Sequence, residues 1–341
     1  MNSTSVPVPV AEWRDVTPEK FRQEILPSGQ PALLRGHVGA WPAVRAGRET
    51  PLAMANYLRG FDSGVEAHVM TGDPAIGGHF FYNDEMTGMN FDNGKMPLSG
   101  ALARLLELID VPVPPAVYIG ALPIPDGLRD FTRDNRLDLL DAAVIPRIWL
   151  GNRVTVQTHY DLSYNIACVV AGRRRFTLFP PEQFDNLYVG PLEYTPAGQP
   201  ISMVRLESPD FEKFPRFRAA QTTARVAELE PGDALFIPYM WWHHVVSRDA
   251  FNVLVNYWWD EIPAWQGSAF EALLHGILAV RNLPPDRREL WRQLFDHYVF
   301  TGGEHALEHL SERQRGVQGP ASPRLAQVLR NYLVQSLMGR R

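Results

Sequence analysis

The chain has 341 residues, of which 45% are hydrophobic and 11% aromatic, so it is long and apolar enough to bury a large core. Its formal charge of −5 gives no general basic surface for nucleic acid, although a local basic patch is compatible with that charge. The single cysteine, Cys168, excludes an internal disulfide and a cysteine-rich zinc site, and it fits a reducing, cytoplasmic location. We expect no membrane span, because no run of 18 apolar residues and no signal-peptide pattern is visible.

The first part of the chain is predicted to mix short helices and strands after a leader of about 16 residues. Thr17 precedes Pro18 and Glu19, which is typical of a helix start with an N-cap, a proline at the first position and acid in the first turn. The predicted helices cover residues 18–26, 52–59 and 99–108, and the predicted strands cover residues 31–35, 66–70, 80–84 and 116–120. The glycine- and asparagine-rich stretch that ends at Gly94 is predicted to be a loop.

Residues 147–151 are one strand-like run, and from Val154 to Trp259 further short runs follow one another without helices between them. Together the runs cover residues 147–151, 153–158, 165–170, 175–178, 225–229, 234–237, 244–246 and 252–258. Turn sequences such as Pro231-Gly232-Asp233 separate them, and this pattern predicts an antiparallel barrel or sandwich. Residues 180–220 form a long insertion that we expect to be mostly irregular.

The pattern after Pro263 becomes helical, with apolar residues at a period of 3.6. The predicted helices cover residues 268–281, 287–298, 303–314 and 323–338. One apolar stripe on the last helix comprises Leu325, Val328, Leu329, Tyr332, Leu333 and Leu337. Such a stripe must pack either on the barrel or on a second chain. We therefore divide the chain into an N-terminal α/β region (1–110), a β core (111–262) and a C-terminal helical region (263–341).

A metal site is suggested by Thr158-His159-Tyr160-Asp161. Residues two apart on a β-strand point to the same face, so the imidazole of His159 and the carboxylate of Asp161 would converge. A second imidazole from Trp241-Trp242-His243-His244 would complete a set of two histidines and one carboxylate, which is how non-haem Fe(II) oxygenases hold their metal. Alone, a His-x-Asp pattern is weak, since two residues satisfied by ordinary hydrogen bonds would look the same.

Several ordered motifs make the pattern specific. They are His159-Tyr-Asp, the run from Ala171 to Pro181, Gly232-Asp-Ala-Leu-Phe-Ile-Pro, and Trp241-Trp-His-His. Together they resemble the cupin-like JmjC oxygenases, a family that includes asparaginyl hydroxylases, over at least residues 110–260. The resemblance implies a mainly β protein with flanking helices: a double-stranded β-helix, or jelly roll, of the cupin-like (JmjC) type, followed by a C-terminal helical region.

The resemblance also implies the cofactors Fe(II) and 2-oxoglutarate. By motif position the iron ligands would be His159, Asp161 and His243, with His244 as the alternative third ligand. Relatives usually place a lysine for the distal carboxylate of 2-oxoglutarate fifteen residues after the first histidine. That position holds Arg174 here, and an arginine can bind a carboxylate through two parallel hydrogen bonds. Either neighbour, Arg173 or Arg175, is an alternative if the strand is rotated.

Further positions match the family less strictly. Tyr118, Asn165 and Asn256 correspond to residues near the co-substrate and iron, although ordinary strand packing would also explain them. The threonine that relatives commonly carry three residues before the first histidine is Val156 here. Trp258 would form a wall of the site. The triplet Tyr82-Asn83-Asp84 could line the substrate cleft or simply end a strand.

The implied activity is hydroxylation of a side chain in a protein substrate, with release of succinate and CO₂. Demethylation would follow from the same chemistry on an N-methyl group. The alternatives are the same reaction on tRNA or a small molecule, for which Arg173–Arg175 and Arg216/Arg218 could supply a basic patch, and a non-catalytic cupin-like binding module. Similar oxygenases dimerise through helices after the barrel, so we expect a homodimer formed by residues 323–338. Substrate choice is expected to lie in the loops 75–95 and 180–220.

Overall fold

The structure is a computed structural model that describes residues 7–192, 195, 198–300 and 307–339. The chain forms two compact units, Met1–Trp259 and Asp260–Arg341. The boundaries at residues 110 and 262 suggested by the sequence stay predictions. The start of the helix predicted over residues 303–314 lies outside the described residues.

The first unit is built on two mixed β-sheets. Its strands are β1 (Val8–Pro9), β2 (Ala11–Trp13), β3 (Ala32–Leu34), β4 (Glu66–Gly72), β5 (His79–Phe80), β6 (Asp92–Pro97), β7 (Ala116–Pro123), β8 (Pro146–Gly151), β9 (Thr155–Tyr160), β10 (Tyr164–Ala171), β11 (Arg174–Phe179), β12 (Arg225–Leu229), β13 (Ala234–Ile237), β14 (Trp242–Ser247) and β15 (Asn252–Trp259). The six-stranded sheet has the order β1-β12-β11-β14-β9-β5, and the nine-stranded sheet has the order β2-β3-β13-β10-β15-β8-β7-β4-β6. All described pairs are antiparallel except β1 with β12, β2 with β3 and β5 with β9.

An apolar core lies between the two sheets. Phe176 and Val245 from the six-stranded sheet share one buried cluster with Leu235 and Leu254 from the nine-stranded sheet. Each strand supplies every second residue to this core, because successive side chains on a strand point to opposite faces. The two sheets therefore face each other, and the mainly β class predicted from the sequence is confirmed.

The other face of the nine-stranded sheet is covered by helices. They are α1 (Pro18–Lys20), α2 (Pro42–Glu49), α3 (Pro51–Arg59), α4 (Leu98–Glu107), α5 (Ile124–Gly127) and α6 (Phe131–Asp134), with a π-helical turn at Phe21–Ile25 and a 3₁₀ turn at Leu26–Ser28. Thr17 is the predicted N-cap, and its hydroxyl accepts a hydrogen bond from the Lys20 amide. Phe21, Met54, Leu58 and Leu102 are fully buried in this second core.

The other face of the six-stranded sheet is covered by the insertion after β11. This segment contains a 3₁₀ helix, Pro181–Asn186, and helix α7, Phe217–Thr223. It buries Leu187, Val204 and Phe217 against Phe179 and Trp242 of the sheet. The insertion is irregular, as expected, but its apolar side chains attach it to the barrel.

Two turns hold the sheets in place. Gly172 links β10 to β11 with φ +69°, and a Cβ there would lie 2.3 Å from the Asn252 side-chain oxygen, so only glycine suits the position. Asp233 follows a second glycine turn and accepts hydrogen bonds from the amides of Gly36 and Glu230, at 2.8 and 3.0 Å. Arg35 also donates to it at 2.8 Å. Hydrogen bonds therefore connect the Pro231-Gly232-Asp233 turn to Arg35 and Gly36, which directly follow β3.

Three local predictions differ from the structure. Residues 1–16 were expected to be a leader, but Val8–Pro9 and Ala11–Trp13 are strands that pair with β12 and β3. The stretch ending at Gly94 was expected to be a loop, but Asp92–Pro97 forms an edge strand on β4. Of the strand predicted over residues 80–84, only Phe80 lies in a strand, His79–Phe80. Polar, glycine-containing edge strands carry little apolar alternation, which explains why the pattern did not indicate β6.

The second unit is helical. It contains α8 (Ala269–Ala279), α9 (Pro285–Phe295) and a last helix at Pro323–Leu337, with a π-helical turn at Asp296–Phe300 and short 3₁₀ turns at Ala264–Gln266, Glu312–Gln314 and Gly316–Gln318. Ser322 caps the last helix by accepting from the Leu325 amide. The predicted apolar stripe is largely exposed, with Tyr332 at 68% and Leu337 at 60%. Among the described helices of the chain, none is long and apolar enough to cross a membrane.

Candidate metal centre

A register shift between β9 and β14 shapes the candidate site. His159 pairs with His243 and Val156 pairs with Val245, so two residues of β9, Gln157 and Thr158, lie against one residue of β14. In a regular strand, positions 156 and 159 would point to opposite faces. The bulge brings both side chains into one cavity between the sheets, which His243 and Val245 also line.

His159, Asp161 and His243 converge in this cavity. One ligand atom from each lies within 4.8 Å of the other two. The two imidazole rings are 4.2 Å apart, and the His243 Nε2 is 3.6 Å from the Asp161 Oδ2. The three residues predicted as metal ligands are therefore brought together as a set that can hold an ion.

Backbone contacts orient both imidazoles. The Nδ1 of His159 lies 2.8 Å from the Gln157 carbonyl, and the Nδ1 of His243 lies 3.1 Å from the Trp241 carbonyl. A carbonyl only accepts, so each Nδ1 carries the proton and each Nε2 presents its lone pair. Burial, followed by the neighbouring His243, lowers the pKa of His159 to about 4. A neutral imidazole with a free Nε2 lone pair is the form that binds a metal ion.

His244 lies on the opposite face of the sheet from His243. Its Nε2 is 2.9 Å from the Glu207 carboxylate of the insertion, and its Nδ1 is 3.4 Å from the Thr158 hydroxyl. Burial, the largest single effect, raises the pKa of Glu207, but the hydrogen bond from His244, the charge interactions with His244 and His79 and a backbone hydrogen bond together lower that pKa to about 2. His244, the alternative third ligand, thus contacts the insertion and takes no part in the cluster.

A chain of polar side chains reaches Asp161 from the nine-stranded sheet. The Asp161 Oδ2 accepts from Asn165 Nδ2 at 3.1 Å and from Trp258 Nε1 at 2.9 Å. Asn165 in turn accepts from Asn256 Nδ2 at 3.2 Å, and Asn256 accepts from Trp149 Nε1 at 2.7 Å. Both asparagines therefore lie beside the cluster, and Trp258 donates to the carboxylate as well as forming a wall.

Arg174 is the arginine that points into the cavity. It is 2% exposed, and its Nε and one terminal nitrogen have no hydrogen-bond partner in the part of the chain that the structure describes. Arg173 instead binds Asp249 on the surface through two parallel hydrogen bonds of 2.7 and 3.0 Å. Arg175 also points outward, 3.6 Å from Glu228. Since β11 alternates, only the middle arginine of the three faces inward.

A family model described as "Cupin-like domain" matches residues 18–264. The chain belongs to this cupin-like family. It is 28% identical over 272 residues to the lysine-specific demethylase JMJ31 of Arabidopsis thaliana, and the match covers 72% of this chain and 48% of the plant protein. It is 25% identical over 318 residues to tRNA wybutosine-synthesizing protein 5 of Danio rerio, covering 83% of this chain and 89% of the fish protein. It is 38% identical over 107 residues to the Gallus gallus form, covering 31% of this chain and 30% of that protein.

The match confirms two predictions from the sequence. The protein has a cupin-like domain of the JmjC type, and its two facing sheets are those of a double-stranded β-helix. The chain spans about half the length of the plant relative. Membership of the family does not by itself assign a substrate.

Fe(II) and 2-oxoglutarate are the cofactors of this cupin-like oxygenase family, and the cavity fits both. Two neutral imidazoles and one carboxylate on one face suit Fe(II), because the other coordination positions stay open. The buried guanidinium of Arg174, with its unpartnered N–H groups, suits a carboxylate. A buried cation without an anion is costly, so an anionic ligand would stabilise this arrangement.

Tyr118 and Val156 line the same cavity, whereas the predicted cleft residues 82–84 do not. Tyr82 is buried behind Ile201, and burial raises its pKa to about 12. The Asn83 side chain accepts from the amides of residues 87 and 88 and so closes a loop, and Asp84 is exposed. In this cupin-like protein the triplet therefore shapes the loop behind the cavity wall.

Sequence reasoning missed Trp149, whose indole lines the cavity. Its neighbours Ile148 and Leu150 are fully buried in the helix-covered core, so strand alternation places Trp149 on the cavity face. That alternation was visible in the sequence. Gln199 and Ile201, also missed, reach the cavity from the irregular insertion, and no periodic signal could have indicated them.

Proposed function

We propose that this protein is an Fe(II)- and 2-oxoglutarate-dependent oxygenase that hydroxylates a side chain of a protein substrate. His159, Asp161 and His243 hold the iron, and Arg174 binds the distal carboxylate of 2-oxoglutarate. One observation carries the proposal: a cluster of two histidines and an aspartate shares a cavity with a buried arginine whose N–H groups lack partners among the described residues. When bound at these residues, Fe(II) and 2-oxoglutarate would supply the oxidising chemistry: 2-oxoglutarate and O₂ would give succinate and CO₂, and one oxygen atom would be inserted into a substrate C–H bond.

The chain's own residues position the reactants. In the sheet register, His243 pairs with Leu178, which is four residues from Arg174 on β11. Four strand residues span about 13 Å, and the long arginine side chain covers part of that distance. We assign Tyr118, Asn165 and Asn256 to the same co-substrate site, since all three line the cavity.

The apolar walls keep water away from the reacting groups. Phe80, Phe176, Val245 and Leu254 surround the space between the polar cluster and the arginine. In a cavity of low dielectric, the attraction between the guanidinium and a carboxylate is stronger than in water. Val156 contributes to this apolar wall at the position where relatives commonly have a threonine.

A protein substrate is supported by the surface beside the cavity. Ile201 lines the cavity and also packs against Phe81 in a small apolar cluster. Three partly buried methionines pack against this cluster: Met86, Met89 and Met203. Methionine side chains adapt their shape and suit peptide recognition. One similar protein is by name a lysine-specific demethylase, which acts on an amino-acid side chain.

A second candidate is the same reaction on RNA. Lys213, Arg216 and Arg218 each lie over an aromatic ring of the insertion, 4.2 to 5.4 Å from its centroid. None of the three forms an ion pair with a carboxylate in the described portion of the molecule. Exposed cations beside aromatic rings suit nucleic acid. The relative matched over 89% of its own length is a tRNA wybutosine-synthesizing protein.

The experiment measures succinate formation by the Fe(II)-loaded protein with 2-oxoglutarate and O₂. Parallel reactions contain no added substrate, a denatured bacterial protein pool, or bulk tRNA, and His159→Ala is the control. We expect the protein pool to stimulate succinate formation in the wild type only. Stimulation by tRNA alone would overturn the protein-substrate proposal in favour of RNA. If the metal-loaded protein neither binds nor consumes 2-oxoglutarate, the oxygenase proposal fails and a non-catalytic binding module becomes the better explanation.

We also propose that the protein is a cytoplasmic homodimer formed through its last helix. Val328, Leu333 and Leu337 are 45 to 60% exposed on one chain, and a second copy would bury them. Replacing Leu333 and Leu337 by aspartate should convert a dimer into monomers in sedimentation velocity. A wild-type protein that sediments as a monomer at micromolar concentration would exclude the dimer.

A further inference from the structure

Trp149 lies where several groups of the cavity meet. Its ring stacks on Tyr118, with centroids 5.8 Å apart and planes at 29°, and it contacts Trp258 edge-on at 5.6 Å. Its indole nitrogen lies 2.7 Å from the Asn256 side-chain oxygen. Neither the metal-ligand set nor the arginine site explains why a tryptophan is needed at this strand position.

The indole N–H sets the direction of the hydrogen-bond chain. An indole can only donate, so the Asn256 carbonyl oxygen must face Trp149 and the Asn256 amino group must face Asn165. Asn165 therefore presents its own oxygen to Asn256 and its amino group to Asp161. Side-chain amides can flip by 180° at little steric cost, and the donor-only indole at one end and the acceptor-only carboxylate at the other both favour this direction.

The far end of this chain is a carboxylate of the metal cluster. Asp161 Oδ2 receives one N–H from Asn165 and a second from Trp258. If the two amides flipped, Asn165 would present an oxygen to that carboxylate, and two acceptors would face each other at about 3 Å in a buried site. The Asn165 N–H that donates to Asp161 is thus held in the chain by an N–H group three side chains away from the carboxylate.

We propose that Trp149 is a positioning residue of the metal centre, which acts through Asn256 and Asn165 to orient the Asp161 carboxylate. This inference rests on the proposed function, because it needs a metal ion at His159, Asp161 and His243. Hydrogen-bond partners behind a metal ligand typically change metal affinity by about 10- to 100-fold when removed. The ring of Trp149 also supports Tyr118, so the N–H group must be separated from the ring in the test.

The test uses Trp149→Phe, which keeps an aromatic ring and removes the N–H donor. Trp41→Phe is the matched control: the Trp41 indole donates to the Arg136 carbonyl at 2.9 Å, and its side chain does not line the cavity. Co²⁺ affinity is measured by competition with a chelator, and the visible absorption of bound Co²⁺ reports its coordination. We expect Trp149→Phe to weaken Co²⁺ binding about 10-fold or more and to change the spectrum, and Trp41→Phe to do neither.

A double substitution separates positioning from a general packing defect. If Trp149 acts through Asn165, the double variant Trp149→Phe/Asn165→Ala should bind Co²⁺ no more weakly than the single variant Asn165→Ala. The inference would be overturned if the two substitutions reduced Co²⁺ affinity independently, so that their fold losses multiplied in the double variant. It would also be overturned if Trp149→Phe kept the wild-type Co²⁺ affinity and spectrum. If Trp149→Phe does not fold, Asn256→Ala interrupts the same chain and must reproduce the loss. A wild-type protein that binds no Co²⁺ would overturn the proposed metal site itself, which distinguishes the two failures.

Discussion

His243 and His244 are neighbours in β14 but serve opposite faces of the six-stranded sheet. The His243 ring lies 4.2 Å from the His159 ring inside the cavity, whereas His244 Nε2 lies 2.9 Å from Glu207 of the insertion. The alternation of a β-strand forbids both from facing inward. The motif favoured His243 over His244, and the register of β14 on β9 turns His243 towards the cavity.

The two histidines should differ sharply in metal binding. We expect His243→Ala to lose more than about 100-fold in Co²⁺ affinity, because it removes a ligand, and His244→Ala to lose less than about 10-fold. The measurement is metal content after dialysis together with Co²⁺ titration. Equal losses in the two variants, or a larger loss in His244→Ala, would contradict the assignment.

Replacing Arg174 by methionine should have opposite effects on binding and stability. A methionine fills similar space without burying an unpaired charge, so we expect the ligand-free protein to gain about 1–3 kcal/mol in its free energy of unfolding. The lost charge-assisted hydrogen bonds should weaken 2-oxoglutarate binding by about 30- to 1000-fold. Urea unfolding and calorimetric titration measure the two quantities. A destabilised variant with normal 2-oxoglutarate affinity would show that Arg174 has a structural partner instead.

The thiol of Cys168 should be unreactive in the folded protein. Burial raises its pKa well above the ordinary value, so the thiolate is suppressed. Since the folded pKa is the higher one, stability is unaffected below about pH 8.5 and falls above it, by roughly 1 kcal/mol between pH 9 and 10. The Cys168→Ala variant should not show this decrease in the free energy of unfolding above pH 8.5. Rapid labelling by a thiol reagent at pH 8 without denaturant would contradict the burial.

Asp233 should contribute strongly to stability. It is 7% exposed, accepts from two backbone amides and pairs with Arg35 at 2.8 Å. We expect Asp233→Ala to lower the free energy of unfolding by about 2–4 kcal/mol. Glu107→Ala, which breaks an exposed pair with Arg104, is the control and should cost less than about 1 kcal/mol. Similar small losses in both variants in urea unfolding would show that the turn does not depend on Asp233.

Much of the fold was visible in the sequence because its signals are local. Alternating apolar residues predicted the central strands, and Thr17 and Pro18 predicted the first helix start. The edge strand at Asp92–Pro97 was missed because its residues are polar and exposed, so its pairing with β4 leaves no periodic pattern.

The site was predictable only in part. His159, Asp161, His243 and Arg174 came from motif positions, and the structure brings all four to one cavity. The bulge that also turns Val156 inward is a property of the β9–β14 pairing, which no single strand encodes. The hydrogen bonds that run from Trp149 through Asn256 and Asn165 join strands that are distant in sequence. They could therefore be recognised only in the three-dimensional structure.

The most direct test of the account is calorimetric titration of 2-oxoglutarate into Mn²⁺-loaded protein, with metal-free protein and His159→Ala as comparisons. The account predicts one saturable site per chain in the metal-loaded wild type and little binding in the other two samples, because the ion and Arg174 hold the ligand together. No binding to the metal-loaded wild type, or the same affinity with and without metal, would contradict it.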